Sequence, residues 1–350
     1  MADTTEPGNQ ALPYRPSLVD RFTDWVERLP IPAWVSYLVL GVVLILVHVP
    51  FLWLDGGLDA VELVAVILFN GLAIPYLLAL IHLLDNQAVN AMGVMKPVLD
   101  TTEREFGDYE HRLANMPFLA PLIAGLAMMA NTILMEQVSG GPIRYAALER
   151  LPTFAVVFHI LDKSSAYLAG VFIYHTIRQL RLVNSIHSGH VRINLFDLKP
   201  LQAFSRLTGT TSVGLVAFVY PWMLINPELL ADPVILGIVA MFTALAAFVF
   251  VWPLYGIHRR IEREKEKALH DIDLRFEAVF TRLNQRFRED DYSEMEPLSG
   301  AISSLEIQQA KVEAVLTWPW RPETARLVLT AVPLPLVLQA IQFLVDRIRP

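Results

Sequence analysis

The chain has 350 residues, of which 54% are hydrophobic and only 18% are charged, whereas a soluble domain usually carries about 25% charge. Its net charge of −7 argues against nucleic-acid binding, which normally needs a basic patch, so we expect no nucleic-acid partner. It has no cysteine, which excludes disulfides, thiolate metal sites and cysteine nucleophiles. A mean hydropathy of +0.43 favours a multi-pass helical membrane protein in contact with a lipid bilayer.

The chain begins with a polar segment, residues 1–32, which does not have the pattern of a cleaved signal peptide. We expect its first dozen residues to be disordered. Residues 33–255 then form a predicted six-span bundle, with amphipathic cytoplasmic connections at 85–116 and 178–207. A seventh apolar segment follows after a polar region, so the predicted fold is all-α with about seven transmembrane helices. The predicted spans are 33–54, 60–84, 117–136, 153–177, 208–226, 233–255 and 325–346.

The fourth of these segments contains two adjacent charges, Asp162 and Lys163, in the stretch "FHILDKSSAYLAG". On a helical wheel, its polar residues form one stripe and its apolar residues the opposite face, which suits lipid. The two charges are about 100° apart on the wheel, so we expect each to find its partner elsewhere, with His159 one turn from both. The stripe consists of His159, Asp162, Lys163, Ala166, Tyr167, Gly170 and Tyr174, opposite Phe158, Leu161, Leu168 and Phe172.

Three other polar residues lie at matching depths in the first three segments: His48, Asn70 and Asn131. A shared intramembrane polar site is therefore geometrically feasible. Its predicted members are Asp162, Lys163, His159, Tyr167, His48, Asn70 and Asn131.

Three interpretations of the two charges stay open. They can form a buried network that fixes helix packing, or line a path for a proton, ion or solute, as ionisable groups within membranes often do. Alternatively, the span shifts towards 162–182 and the charges lie at the membrane interface, where lysine can snorkel.

Residues 256–324 form a polar region in which two apolar stripes at helical spacing predict an antiparallel hairpin on the cytoplasmic side. A capping box, Ser303 to Glu306, predicts the start of its second helix. The stripes can close on each other or on a second copy of the chain, so a homodimer through 261–316 is an open alternative. They consist of Leu269, Ile272, Phe276, Val279, Leu283 and Phe287, and of Ile302, Leu305, Val312 and Leu316.

The last segment, within 325–350, is the weakest prediction because Pro333 and Pro335 interrupt it. If it spans, an N-terminus in the cytoplasm places 23 of the 28 Lys and Arg residues inside and the C-terminus outside, as the positive-inside rule requires. If it is re-entrant, both ends are inside. We expect the protein to reside in the cytoplasmic membrane.

No catalytic motif is found, so we predict no enzymatic activity, no catalytic residues and no cofactor. "HSGH" places His187 and His190 at a spacing that occurs in metal sites, but zinc needs three or four ligands, and no metal is predicted. The function most consistent with the sequence is a transporter or channel whose path passes the polar stripe. The alternative is a sensor, regulator or scaffold that acts through the cytoplasmic coiled-coil hairpin.

Overall fold

The computed structural model describes residues 14–57, 63–138, 146–189, 191–225, 233–289, 293, 295–334, 336–337 and 340–341. Within these ranges the protein contains helices and no β-strand, which confirms the all-α prediction. The segment expected to be disordered, the first dozen residues, lies outside them. The helices are α1 (Leu18–Glu27), α2 (Ala33–Leu54), α3 (Val64–Met95), α4 (Glu103–Ala114), α5 (Leu119–Val138), α6 (Ala146–Arg150), α7 (Pro152–Gly189), α8 (Ala203–Ile225), α9 (Pro233–Arg288), α10 (Met295–Glu313) and α11 (Pro322–Ala331).

Four helical stretches among the described residues are long and apolar enough to cross a membrane. They are Ala33–Leu54, Val64–Val98, Pro152–His187 and Val239–Arg288. All four correspond to predicted spans, but the helices of the last three continue well past the predicted ends. The predicted polar connections at 85–116 and 178–207 therefore begin as extensions of α3 and α7.

The other three predicted spans do not reach this length and apolarity, so the described structure supports fewer than seven. In α5 the apolar stretch, Leu119–Leu134, is short. In α8 several buried hydroxyl residues lower the apolarity, and one of them, Ser212, donates to the carbonyl oxygen of Ala246 in α9 at 2.7 Å. In α11 the helix has ten residues, and Pro333 follows its end. Much of the rest of 325–346 lies outside the described residues.

The helix α7 occupies the middle of the bundle and packs against α5, α3, α9 and α2. Its closest approach is to α5, because Gly170 has no side chain there. A Cβ atom at residue 170 would lie 2.5 Å from the carbonyl oxygen of Ala124. Tyr167 of α7 in turn packs over Gly125 of α5. Each helix therefore contributes one glycine against which atoms of the other helix pack. This contact fixes which residues of α5 and α7 can meet.

Two short amphipathic helices, α1 and α4, lie at one end of the bundle. Each begins with a capping box, Ser17 with Asp20 and Thr102 with Glu105, which satisfies the first free N–H groups of the helix. The apolar face of α1 packs Val19 and Val26 against the bundle.

The polar region forms the expected antiparallel hairpin. The helix α9 continues unbroken for 56 residues, and α10 packs back along it. The hairpin core contains part of the two predicted stripes: Ile272, Leu305 and Val312 are buried, whereas Phe287 and Leu316 are exposed. The predicted start of the second helix is wrong: α10 begins at Met295, and Ser303 and Glu306 lie inside it. The second helix therefore begins eight residues before the predicted capping box.

Candidate functional site

The predicted polar stripe of α7 contains a compact cluster of charges. The ammonium Nζ of Lys163 lies 2.8 Å from Oδ2 of Asp162 and also forms an ion pair with Oε1 of Glu136 on α5. We call Glu136, Asp162 and Lys163 the charge cluster. The expectation that each charge finds its partner elsewhere is wrong for Asp162, because the long lysine side chain folds back to it, whereas Lys163 does pair with a residue of another helix, Glu136.

Glu136 was missed as a member of this site, although it is the only charged residue of the predicted span 117–136. That isolation was a usable signal, since a carboxylate in an apolar helix needs a partner. The three side chains are 26%, 38% and 16% exposed for Glu136, Asp162 and Lys163. The cluster is therefore partly accessible from outside the protein.

His48 and Asn70 form a second, fully packed group one turn before the charge cluster. The His48 Nε2 and Asn70 Oδ1 atoms are 3.2 Å apart, and Asn70 Nδ2 donates to the carbonyl oxygen of Phe158 at 3.4 Å. Both side chains are buried. The carbonyl of Phe158 lies four residues before Asp162, so this pair braces the turn of α7 that carries the charges.

The remaining predicted members lie apart from the charge cluster. Tyr167 packs on Gly125, His159 is half-buried beside the ring of Phe158, and Asn131 lies exposed on α5. No hydrogen bond between described residues joins these three side chains to the charge cluster.

The face of α7 that was predicted to meet lipid is instead packed against protein. Phe158, Leu168 and Phe172 are buried, because α7 is surrounded by other helices. The side chains of α7 that remain exposed and apolar are Val156, Ile160 and Ile177. A central helix is covered on more than one face, and a helical wheel alone cannot show this.

A larger polar group, which the sequence analysis missed, lies towards the other end of α3 and α7. His82 is held on both ring nitrogens: the Tyr37 hydroxyl lies 2.8 Å from Nδ1, and Oε1 of Glu27 lies 2.8 Å from Nε2. Three residues further along α3, Asp85 places Oδ1 at 2.7 Å from Nε2 of His175 on α7. We call these five residues the acid–histidine cluster.

This cluster is more deeply buried than the charge cluster. His175 is 1% exposed and Asp85 is 8% exposed, whereas the side chain of Glu27 is 52% exposed. The cluster therefore extends from a surface carboxylate to a buried imidazole. It was missed because His82 and Asp85 lie at the edge of the predicted span 60–84 and His175 at the edge of 153–177.

Asp20 attaches α1 to the same end of the bundle. Its Oδ2 atom accepts hydrogen bonds from the backbone N–H groups of Ser17 at 3.0 Å and Met116 at 2.8 Å. Burial raises the pKa of the Asp20 carboxyl, and the hydrogen bonds from Met116 and Ser17 oppose that rise. Asp20 thus completes the capping box of α1 and also links α1 to Met116, just before α5.

The described residues contain no group of three or more His, Asp or Glu side chains arranged to hold a metal ion. His187 is buried against the ring of Phe204, with ring centroids 5.4 Å apart. The other residue of that motif, His190, lies outside the described residues.

The chain matches no protein-family model. Neither a curated protein nor a solved structure matches it. The function is therefore inferred from the geometry of the charge cluster and the acid–histidine cluster.

Proposed function

We propose that this chain is a membrane transporter or channel whose path follows α7 between the charge cluster and the acid–histidine cluster. The observation that carries the proposal is the placement of both clusters on one central helix of membrane-spanning length. Lys163 and His175 are twelve residues apart, which corresponds to about 18 Å along the helix axis. The helix thus presents ionisable groups at two depths.

The energetic argument concerns the cost of such groups in a membrane. A single Asp or Lys at the centre of a transmembrane helix costs about 2.5–3.5 kcal/mol on the insertion scale, and such residues commonly mark ion or substrate paths. The charge cluster has two carboxylates and one ammonium, so its fully ionised form has a net charge of −1. A proton or a cation is needed to balance it.

The proposed topology has seven spans in the cytoplasmic membrane, with the N-terminus inside and the C-terminus outside. The Lys and Arg distribution supports it, and four of the seven proposed spans coincide with helices long and apolar enough to cross a membrane. The absence of native cysteine allows this to be tested with single cysteines. Asp108→Cys should be labelled by a membrane-impermeant thiol reagent only from the cytoplasmic side, and Gln137→Cys only from the other side. Labelling of both from one side would contradict the topology.

The path is tested with the same reagent in intact membranes. Ala166→Cys lies on the polar stripe, and Ile160→Cys is the matched control on the exposed apolar surface of the same helix. Gly170 is unsuitable, because any side chain there meets the backbone of α5. We expect labelling at 166 and none at 160, with Gln137→Cys as the positive control. Labelling at 137 but not at 166 would refute a water-filled path along the stripe.

A second function is favoured by one specific observation, the continuity of α9. This helix runs from the bundle into the hairpin and packs against α10, so it offers a route by which a movement in the membrane would reach α10. Such a coupling suits a sensor, regulator or scaffold. Replacing residues 262–317 by a short flexible linker tests it: a sensor or scaffold loses partner recovery or assembly, whereas a transporter retains labelling at 166. Unchanged assembly and partner recovery would exclude the second function.

A further inference from the structure

The geometry of Asp85 and His175 defines how many protons the pair holds. The 2.7 Å separation of Oδ1 and Nε2 is that of a charge-assisted hydrogen bond, so one proton lies between these two atoms. The second ring nitrogen of His175, Nδ1, is buried and has no hydrogen-bond partner among the described residues. A second proton therefore has one place to bind on the ring, Nδ1.

Binding of that proton changes the charge of a buried group. With one shared proton, the pair has a net charge of −1. With a second proton on Nδ1, it becomes an aspartate–imidazolium pair of zero net charge. Since an uncompensated buried charge is costly, burial favours the doubly protonated pair, while the unpartnered Nδ1–H that results opposes it. The geometry therefore offers the pair two protonation states that differ by one proton on Nδ1.

The charged and titratable groups around the pair come from several helices. His82 lies on the preceding turn of α3, with Tyr37 of α2 bonded to it, and Asp20 approaches from α1. On α7 itself, the next turn carries Arg178, whose guanidinium donates to the Tyr14 hydroxyl at 2.6 Å.

One further group links this surrounding shell to the surface. Glu27 of α1 is half exposed and contacts His82 at 2.8 Å, and His82 lies one helical turn from Asp85. Protons can thus reach the neighbourhood of the pair from the protein surface.

We propose that the Asp85–His175 pair is a proton-binding site and that the proton is the ion handled by the path along α7. The proton binds at Nδ1 of His175: the N–H bond forms there, and the O–H bond of the hydronium ion that donates the proton breaks, leaving water. The role of this site in transport rests on the proposed function, but the binding of a proton does not.

The test is a pH titration of the full-length protein in lipid bilayers, labelled with ¹³C and ¹⁵N in its nine histidines and followed by NMR. The signal of His175 is assigned by its loss in His175→Gln, with His159→Gln as the control that must leave it in place. We expect Nδ1 to gain a proton as the pH is lowered, which changes its ¹⁵N signal from that of an unprotonated ring nitrogen to that of a protonated one. In Asp85→Asn the midpoint should fall by at least about one pH unit, because the carboxylate that stabilises the imidazolium is gone. A ring that does not titrate, or an unchanged midpoint in Asp85→Asn, would overturn the proposal.

A second variant and a flux measurement distinguish the possible outcomes of the titration. If Asp85→Asn does not fold, Asp85→Ser takes its place: its smaller side chain also removes the carboxylate, so the midpoint should again fall, and an unchanged midpoint overturns the site. Proton flux into liposomes is measured in parallel. Titration of His175 without flux would retain the proton site and refute transport of protons, whereas flux without titration of His175 would refute the site and retain transport.

Discussion

His175 Nε2 lies 2.7 Å from Asp85 Oδ1, and this contact joins two helices of the bundle, α7 and α3. Both side chains are almost fully buried, so each satisfies a polar group that would otherwise lack a partner in the protein interior. The pair is therefore important to stability whether or not it handles protons.

Removing both members of this pair should cost less than the sum of the two single removals. Asp85→Leu or His175→Leu alone leaves a buried polar group without its partner, and each should lower the free energy of unfolding by about 3 kcal/mol. The double variant should lose clearly less than the sum. Thermal melts of the four proteins form a double-mutant cycle, and additive losses would show that the two residues are not coupled.

In the charge cluster, Lys163→Met should be the most damaging single change, because it leaves the carboxylates of Glu136 and Asp162 together without a cation. We expect a loss of about 2 kcal/mol, below the value for a fully buried pair because these side chains retain some exposure. Adding Glu136→Gln and Asp162→Asn should restore part of it. The measurement is the melting temperature in detergent.

The matched control for that experiment is the exposed Lys96–Glu103 ion pair, whose charged atoms are also 2.8 Å apart. Lys96→Met should cost less than about 1 kcal/mol, as exposed pairs do. A similar loss in Lys96→Met and Lys163→Met would mean that the charge cluster is as solvated as the surface pair.

The contact between α5 and α7 predicts opposite effects of one substitution at two glycines. In Gly170→Ala the added methyl group meets Ala124 O at 2.5 Å and Met128 Cβ at 2.6 Å, so the helices must separate, at a cost of about 1–3 kcal/mol. In Gly93→Ala the methyl group meets nothing within 4 Å, and the variant should be stabilised by about 0.5–1 kcal/mol. Both values come from thermal melts, and destabilisation of equal size at both positions would contradict the close approach at Gly170.

Some of this architecture was accessible from the sequence and some was not, for a physical reason. Apolar length and periodicity act along one helix, so they predicted α2, the apolar parts of α3, α7 and α9, and the positions of Ile272 and Leu305 in the hairpin core. Partners between helices depend on which helices are neighbours. The sequence therefore placed Lys163 in the membrane but could not show Glu136 beside it.

The same limit explains the missed acid–histidine cluster. His82, Asp85 and His175 stand near the ends of predicted apolar segments, where polar residues are expected to reach water. In the structure the helices continue beyond those ends, and α1 covers them. When a separate amphipathic helix covers a segment, the sequence of that segment does not show that it is buried.

Asp55 predicts an acid-sensitive step in stability. It follows α2 and bonds the start of α7, where its carboxylate accepts a hydrogen bond from the backbone N–H of Phe154 at 2.8 Å and another from the Thr153 hydroxyl. Desolvation acts to raise the pKa of Asp55, but these hydrogen bonds outweigh it and hold that pKa below its ordinary value. The stabilisation is therefore present above the pKa of the unfolded chain and is lost as pH falls below about 4.

The variant Asp55→Asn tests whether the contribution of Asp55 to stability is lost at low pH. The variant should melt below the wild type at neutral pH, and the difference should shrink as the pH is lowered through the titration of Asp55. The control is Asp24→Asn on the exposed side of α1, which should follow the wild type at every pH. A constant difference between Asp55→Asn and the wild type down to low pH would show that the charge of Asp55 contributes nothing.

The hairpin offers two neighbouring positions on α10 that should respond differently to the same change. Leu305 is 7% exposed and packs with Ile272, whereas Ile307 is 57% exposed. Leu305→Asp places an unpaired charge in the hairpin core, which should cost at least about 3 kcal/mol and detach α10 from α9. Ile307→Asp should change stability by less than about 0.5 kcal/mol.

Hydrogen exchange resolves the two variants by region. In Leu305→Asp, protection should be lost over Met295–Glu313 while the amides of α3 and α7 keep theirs, because the hairpin core is separate from the bundle core. Loss of protection in the bundle as well would show that α9 couples the two, as the sensor hypothesis requires. Equal damage from Ile307→Asp would mean that the face carrying Ile307 is covered in the assembled protein, which is the outcome that a homodimer through 261–316 predicts.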